Sequence, residues 1–265
     1  MRDYLLAFVI TGALTFVFSW VVWRVAMRFG LHPAIRERDV HKTPTPRLGG
    51  VAMFIGMLGF FVLSSQLPAF AIVWQEPSMV WSLLGAAALM VVVGVADDLW
   101  DLDWMIKLGA QFVAAWIVVF LGGIQIFYLP FGQQVVVSSW VSISLSILLI
   151  VIVMNAVNFI DGLDGLVAGV CLIANAVFFA YSAMLVRDFD NSEQSNTGVF
   201  IAIVLLGMCA GFLPFNWNPA RMFMGDAGAL LLGLMMASSA IVVTGNLPPN
   251  LLSDNDLFGR SQLLG

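Results

Sequence analysis

"VVVGVADDLWDLDW", residues 91–104, starts as membrane-grade sequence and then breaks character. An apolar run leads straight into Asp97 and Asp98, and Asp101 and Asp103 follow. A carboxylate at the centre of a bilayer costs roughly 2.5–3.5 kcal/mol even on the lenient insertion scale. These acids therefore mark the place where a helix leaves the lipid. The rest of the chain supports a membrane setting. Of 265 residues, 61% are hydrophobic and 10% are charged, against about 25% charged in a soluble domain. The net charge of −5 says less than the placement of the charges. Cys171 and Cys209 lie in apolar runs without pairing or metal spacing, as small hydrophobes do.

A span needs about 20 mainly apolar residues. Eight stretches qualify: 4–27, 48–67, 79–96, 108–123, 140–157, 166–186, 199–217 and 227–245. The first is too long for a cleaved signal peptide and carries Asp3 where a basic region would stand. Alternating the sides puts 28–47, 97–107, 158–165 and 218–226 together. Arg28, Arg36, Arg38, Lys42, Arg47, Lys107 and Arg221 fall on that side, with Arg24 flanking it, while Arg2, Arg187 and Arg260 fall on the other. This bias marks the four segments as cytoplasmic and both termini as outside. The expected architecture is one all-α polytopic membrane domain over 1–265, with about eight transmembrane helices. Residues 122–139 predict a short extracytoplasmic β-hairpin, and 187–197 a solvated loop.

Four cytoplasmic stretches carry the polar residues. In "RERDVHKTPTPRLGG", 36–50, two prolines stiffen a basic loop whose Lys42 and Arg47 would face phosphate; anionic headgroups are the plainer partner. In "DDLWDLDWMIK", 97–107, persisting helical geometry would put Asp97 and Asp101 on one face beside Asp98, and a cation would relieve their repulsion. In "NAVNFIDGLDGLVAG", 155–169, Asn155, Asn158, Asp161 and Asp164 recur at spacing three, which stacks them on one face of a helix. In "FNWNPARMFMGDAGALLLG", 215–233, Asp226 opens an apolar helix, where free N–H groups and the helix dipole favour anions. Oxygen ligands without His or Cys clusters suit Mg²⁺ or Mn²⁺, not zinc. The combination points to phosphate chemistry at the membrane boundary. A coupled transporter would keep ionisable groups near the bilayer midplane, where this chain has almost none. A membrane protein that only binds a nucleotide sugar is the remaining alternative.

The motifs HKTPTPRLGG, DDLWDLDWMIK, NAVNFIDGLDGL and NPARMFMGDAG, in this order, resemble the polyprenyl-phosphate N-acetylhexosamine-1-phosphate transferase family over about 28–245. PTPRLGG and FMGDAG look closer to its UDP-GlcNAc branch than to the branch using UDP-MurNAc-pentapeptide, and RERDVHKTPTPR looks actinobacterial, implying decaprenyl phosphate. The resemblance implies transfer of GlcNAc 1-phosphate from UDP-GlcNAc to a polyprenyl phosphate, with release of UMP, in a bacterial plasma membrane, as the first membrane step of a cell-envelope glycan. It implies Asp226 and Asn158 on Mg²⁺, Lys107 on the diphosphate, and Asp164 and Phe223 near the uracil. It makes Asp97 and Asp98 an essential acidic pair, with Asp97 sometimes cast as a base, and Asp161 a further site residue. A homodimer is admitted, and nucleic acid is not an expected partner. Family members also carry a His-rich cytoplasmic loop and further spans. Here the histidines are His32 and His41 and the sequence stops at Gly265, so a C-terminally truncated transferase core is expected.

Overall fold

A computed structural model describes residues 2–31, 45–129, 135–136, 138–188 and 193–244. Its helices are α1 (Arg2–Phe29), α2 (Gly49–Ser64), α3 (Pro77–Trp100), α4 (Trp104–Trp116), α5 (Ser139–Ile160), α6 (Leu166–Asp188), α7 (Glu193–Asn216) and α8 (Gly225–Thr244). Among the described residues seven helical segments are long and apolar enough to cross a membrane, or eight where α2 and the short helix after it, set at 104° to each other, are counted as one span. The chain is an all-α, multi-pass membrane protein.

The order of burial follows from the helix faces. α8 is apolar all round, as expected of a helix enclosed by others. Its residues Ala227–Met235 are all buried. Helices α2, α3, α5 and α7 pack around it, α1 lies outside on α7 and α2, α4 on α3 and α5, and α6 on α7. Small residues make the close crossings. A Cβ on Gly211 of α7 would lie 2.3 Å from the Gly12 oxygen of α1, and one on Gly56 of α2 would press into Thr15. Without an aqueous driving force between helices, such close backbone approach supplies the packing.

Trp81 and Trp100 stand near the two ends of α3, both exposed. Nineteen residues separate them, about 28 Å along a helix, close to the ~30 Å hydrocarbon thickness. Tryptophans favour both membrane–water interfaces. By this measure Asp97 and Asp98, in the last turn of α3, sit at one interface.

Three expectations change. The span over 48–67 stops at Ser64, and the chain bends by 104° into a 3₁₀ turn at Pro68–Trp74. Pro68 disfavours helical geometry at Leu67, which is extended at φ −99°, ψ 118°, and the Trp74 indole N–H donates to Ser64 Oγ at 3.1 Å. The fourth span starts earlier than expected, at Trp104, and ends in a π-turn at Ile117–Leu121. In the 187–197 stretch the described residues are helical, because α6 runs to Asp188 and α7 starts at Glu193. The hairpin is present as a two-residue antiparallel ladder, Tyr128–Leu129 against Val135–Val136.

Candidate active site

Four loops meet at one end of the bundle because the helices bearing them touch there. Gly94 of α3 lies so close to α8 that an added Cβ would be 2.3 Å from Ala227 Cα, and one on Gly50 of α2 would be 2.2 Å from the Gly228 nitrogen. The backbone then zips. Phe223 N–H donates to Pro46 O at 2.9 Å, Gly49 N–H to Phe223 O at 3.0 Å and Gly50 N–H to Met224 O at 2.9 Å. This short ladder fixes the PRLGG stretch, and with it Arg47, beside the start of α8.

Asp226 is the hub. Its Oδ1 accepts from Asn158 Nδ2 at 3.0 Å, and its Oδ2 accepts from Lys107 Nζ. Lys107 also pairs with Asp97 Oδ2 at 3.0 Å. The other oxygen of Asp97 accepts the Leu102 N–H at 3.1 Å, closing the turn after α3. Asp98 Oδ2 accepts the backbone N–H of Asp226 at 3.1 Å. Gly225, at φ +70°, leaves the room for this: a Cβ there would lie 2.4 Å from that same Asp98 oxygen and 2.7 Å from the Arg47 oxygen. Glycine alone adopts such a backbone at little cost.

Asp161 lies just past α5, close to the Asp226 and Arg47 charges. Burial pushes its carboxyl up to about 6, Asp226 adds to the rise, and Arg47 opposes it. Asp164 is held elsewhere: its Oδ2 accepts from Asn218 Nδ2 at 3.1 Å and from the Ala220 N–H at 3.0 Å. Next to it, Gly165 N–H donates to Asn216 Oδ1 at 3.0 Å. Asp164 therefore staples the 161–165 turn to the loop between α7 and α8, beside the Asp226 cluster.

The structure thus brings Asp97, Asp98, Lys107, Asn158 and Asp226 together, with Arg47 and Asp161 at their edge. Two register expectations fail. α3 ends at Trp100, and Asp101 takes the left-handed conformation at φ 52°, so Asp101 leaves the face of Asp97 and is exposed. α5 ends at Ile160, so Asp161 and Asp164 do not continue the face of Asn155 and Asn158. Asp103 caps α4 by accepting the Met105 N–H at 2.8 Å. Lys42 lies outside the described residues. Asn216 and Gln111, the amide partner of Asn155, were not singled out in the sequence, and Asn218 entered only as the first residue of NPARMFMGDAG. Their partners are remote in the chain, and no local pattern marks them.

The donor chemistry suits a hard cation. Among the described residues no three His, Cys, Asp or Glu side chains form a ready metal cage. Mg²⁺ characteristically takes one or two carboxylates and completes its shell with substrate phosphates and water. Asp226 and the amide oxygen of Asn158 offer such a partial set. The ammonium of Lys107 between Asp97 and Asp226 shows that the pocket accepts positive charge.

Residues 80–244 match glycosyl transferase family 4. The chain is 38% identical over 261 residues to the decaprenyl-phosphate N-acetylglucosaminephosphotransferase of Mycobacterium leprae (strain TN), covering 97% of this chain and 66% of that protein. It is 30% identical to the probable undecaprenyl-phosphate N-acetylglucosaminyl 1-phosphate transferase of Bacillus subtilis (strain 168), covering 88% of this chain and 61% of that protein. It is 31% identical to the phospho-N-acetylmuramoyl-pentapeptide-transferase of Listeria monocytogenes serotype 4b (strain CLIP80459), over 92% of this chain and 75% of that protein. The chain spans just under two thirds of the length of the mycobacterial relative. On the family match and these identities, the chain belongs to glycosyl transferase family 4.

Proposed function

We propose that this chain transfers N-acetylglucosamine 1-phosphate from UDP-GlcNAc to a polyprenyl phosphate, giving polyprenyl-diphospho-GlcNAc and UMP. The observation that carries this reading is the convergence of Lys107 and Asn158 on the two oxygens of Asp226. A cation and an amide held at a carboxylate, at the interface where a lipid phosphate would sit, match the needs of phosphoryl transfer. That chemistry is mainly positioning and charge stabilisation.

An oxygen of the lipid phosphate attacks the β-phosphorus of the nucleotide sugar. The bridging P–O bond to the α-phosphate breaks, and UMP leaves. Lys107 binds the diphosphate and offsets its charge. Asp97 orients Lys107, and Asp98 holds the start of α8. Arg47 and Asp161 flank the phosphates, with Phe223 and Asp164 beside the uracil. Asp226 and Asn158 would hold Mg²⁺, or Mn²⁺, which supplies further charge neutralisation at the diphosphate. A phosphate monoester is mostly dianionic at pH 7, so the acceptor needs no strong base. The site end faces the cytoplasm in this reading, because alternating the spans along the sequence assigns the segments with eight of the 11 Lys and Arg residues to that side.

UMP release from purified protein with polyprenyl phosphate and Mg²⁺ tests the proposal. UDP-GlcNAc is expected to support release. Release with UDP-MurNAc-pentapeptide alone would move the assignment to the chemistry named for the Listeria relative, and no release with any UDP-sugar would leave only nucleotide-sugar binding.

A further inference from the structure

Beneath the Asp226 cluster, two amides face each other across α4 and α5. Gln111 of α4 is 1% exposed. Its Nε2 donates to Asn155 Oδ1 at 3.4 Å, and Asn155 Nδ2 donates back to Gln111 Oε1. Asn155 Nδ2 is anchored as well on its own helix, donating to Val151 O at 2.8 Å. Gln111 stands four residues after Lys107, and Asn155 three before Asn158. Those spacings stack side chains on one helix face. The amide bridge therefore lies one turn below the two residues that grip Asp226.

We propose that Gln111 is a positioning residue, whose reciprocal bridge to Asn155 fixes the separation and axial offset of α4 and α5 so that Lys107 and Asn158 close on one carboxylate. The packing of each helix does not do this alone. α4 packs on α3 as well as on α5, and α5 packs chiefly on α8, so each helix also answers to a different neighbour. Among the described residues no other side-chain hydrogen bond joins α4 to α5. An apolar residue at 111 would fill the space and leave the helices free to slide, because apolar contact has no direction. Amide pairs have direction, and two of their four bonding groups are used here on each other. Asn155 accordingly serves α4 rather than continuing a ladder of ligands.

The kinetic arm of the test rests on the transferase reading, and a distance measurement does not. Spin labels at Met105→Cys and Phe159→Cys, both exposed positions on α4 and α5, report the seam; Cys171 and Cys209 are buried. Gln111→Met keeps the length and removes both bonds. It is expected to broaden the label distance distribution at least twofold. It should also lower kcat for UMP release about 30-fold with KM for UDP-GlcNAc changed less than threefold, since misplacement by about 1 Å can cost on the order of 100-fold. The swap Gln111→Asn with Asn155→Gln preserves both amides and their summed length, and should restore the narrow distribution and bring kcat within threefold of the parent. The swap alone decides the matter where Met is not tolerated. An unchanged distribution and kcat in Gln111→Met, a kcat loss matched by loss of folded protein, or a swap that restores neither readout overturns the inference. A parent protein that releases no UMP refutes the transferase reading, and the label distances still decide this one.

Discussion

Asp98 caps a helix whose second residue, Asp226, lies 128 residues further along the chain: its Oδ2 accepts the Asp226 backbone N–H at 3.1 Å. The first turn of a helix has unpaired N–H groups, and a carboxylate there also meets the positive end of the helix dipole. A side-chain acid from α3 thus does what a local Ser or Asp usually does, and so joins α3 to the residue at the centre of the site. Asparagine retains an oxygen acceptor and alanine has none. Asp98→Asn is expected to retain about a tenth or more of the UMP-release rate, and Asp98→Ala to fall well below that with a stability loss of about 1–2 kcal/mol. Equal loss in both variants would show that the negative charge of Asp98, and not its capping bond, is what the reaction uses.

Gly225 makes that cap possible. Alanine there adopts φ +70° at a cost of roughly 1–2 kcal/mol and puts its Cβ against Asp98 Oδ2. Gly225→Ala should lower the thermal midpoint and displace Asp98 from Asp226, cutting activity more than Asp98→Asn does. Midpoints measured in detergent, with UMP release on the folded fraction, check this.

Asp161 gives a pH signature. Its folded pKa is raised to about 6 by burial first and by Asp226 second, against about 3.9 unfolded. The folded protein therefore holds the proton more tightly than the unfolded chain between these values. Stability falls as pH rises from about 4 to 6, and the deficit is fully present above 6. Asp161→Asn removes it, so the substrate-free variant in EDTA is expected to gain at most about 3 kcal/mol at pH 7.5 and nothing near pH 3.5. Unfolding at the two pH values measures the difference.

Asp97 holds Lys107 by a 3.0 Å ion pair and closes the α3 turn through Leu102. With a dianionic acceptor already available, no proton needs removing. Asp97→Asn should keep a measurable rate, with a pH–rate profile flatter at high pH. Activity recovered only well above pH 7 would mark Asp97 as a base instead.

The sequence showed which ends of the helices belong together, because charge in a membrane chain is sparse and costly enough to mark sites. Asp97, Lys107 and Asp226 were legible for that reason, and Asn158 through its spacing from Asn155 and Asp161. The positions of Asp101 and Asp164 were not. Both depend on where a helix stops, and Trp100 and Ile160 end helices whose sequence pattern continues past them. The bend after Ser64 turns on Pro68 and on an indole bond made ten residues along, and the bridge from Gln111 spans 44 residues. Contacts of that kind leave no local period in the sequence.

The direct test of the central claim is the fate of the β-phosphorus. Incubated with UDP-GlcNAc labelled at that atom, polyprenyl phosphate and Mg²⁺, the protein should move the label into lipid while UMP is released in equal amount, and Asp226→Ala should abolish both. Label remaining in UDP while the sugar alone reaches the lipid, or transfer unaffected by Asp226→Ala, would contradict it.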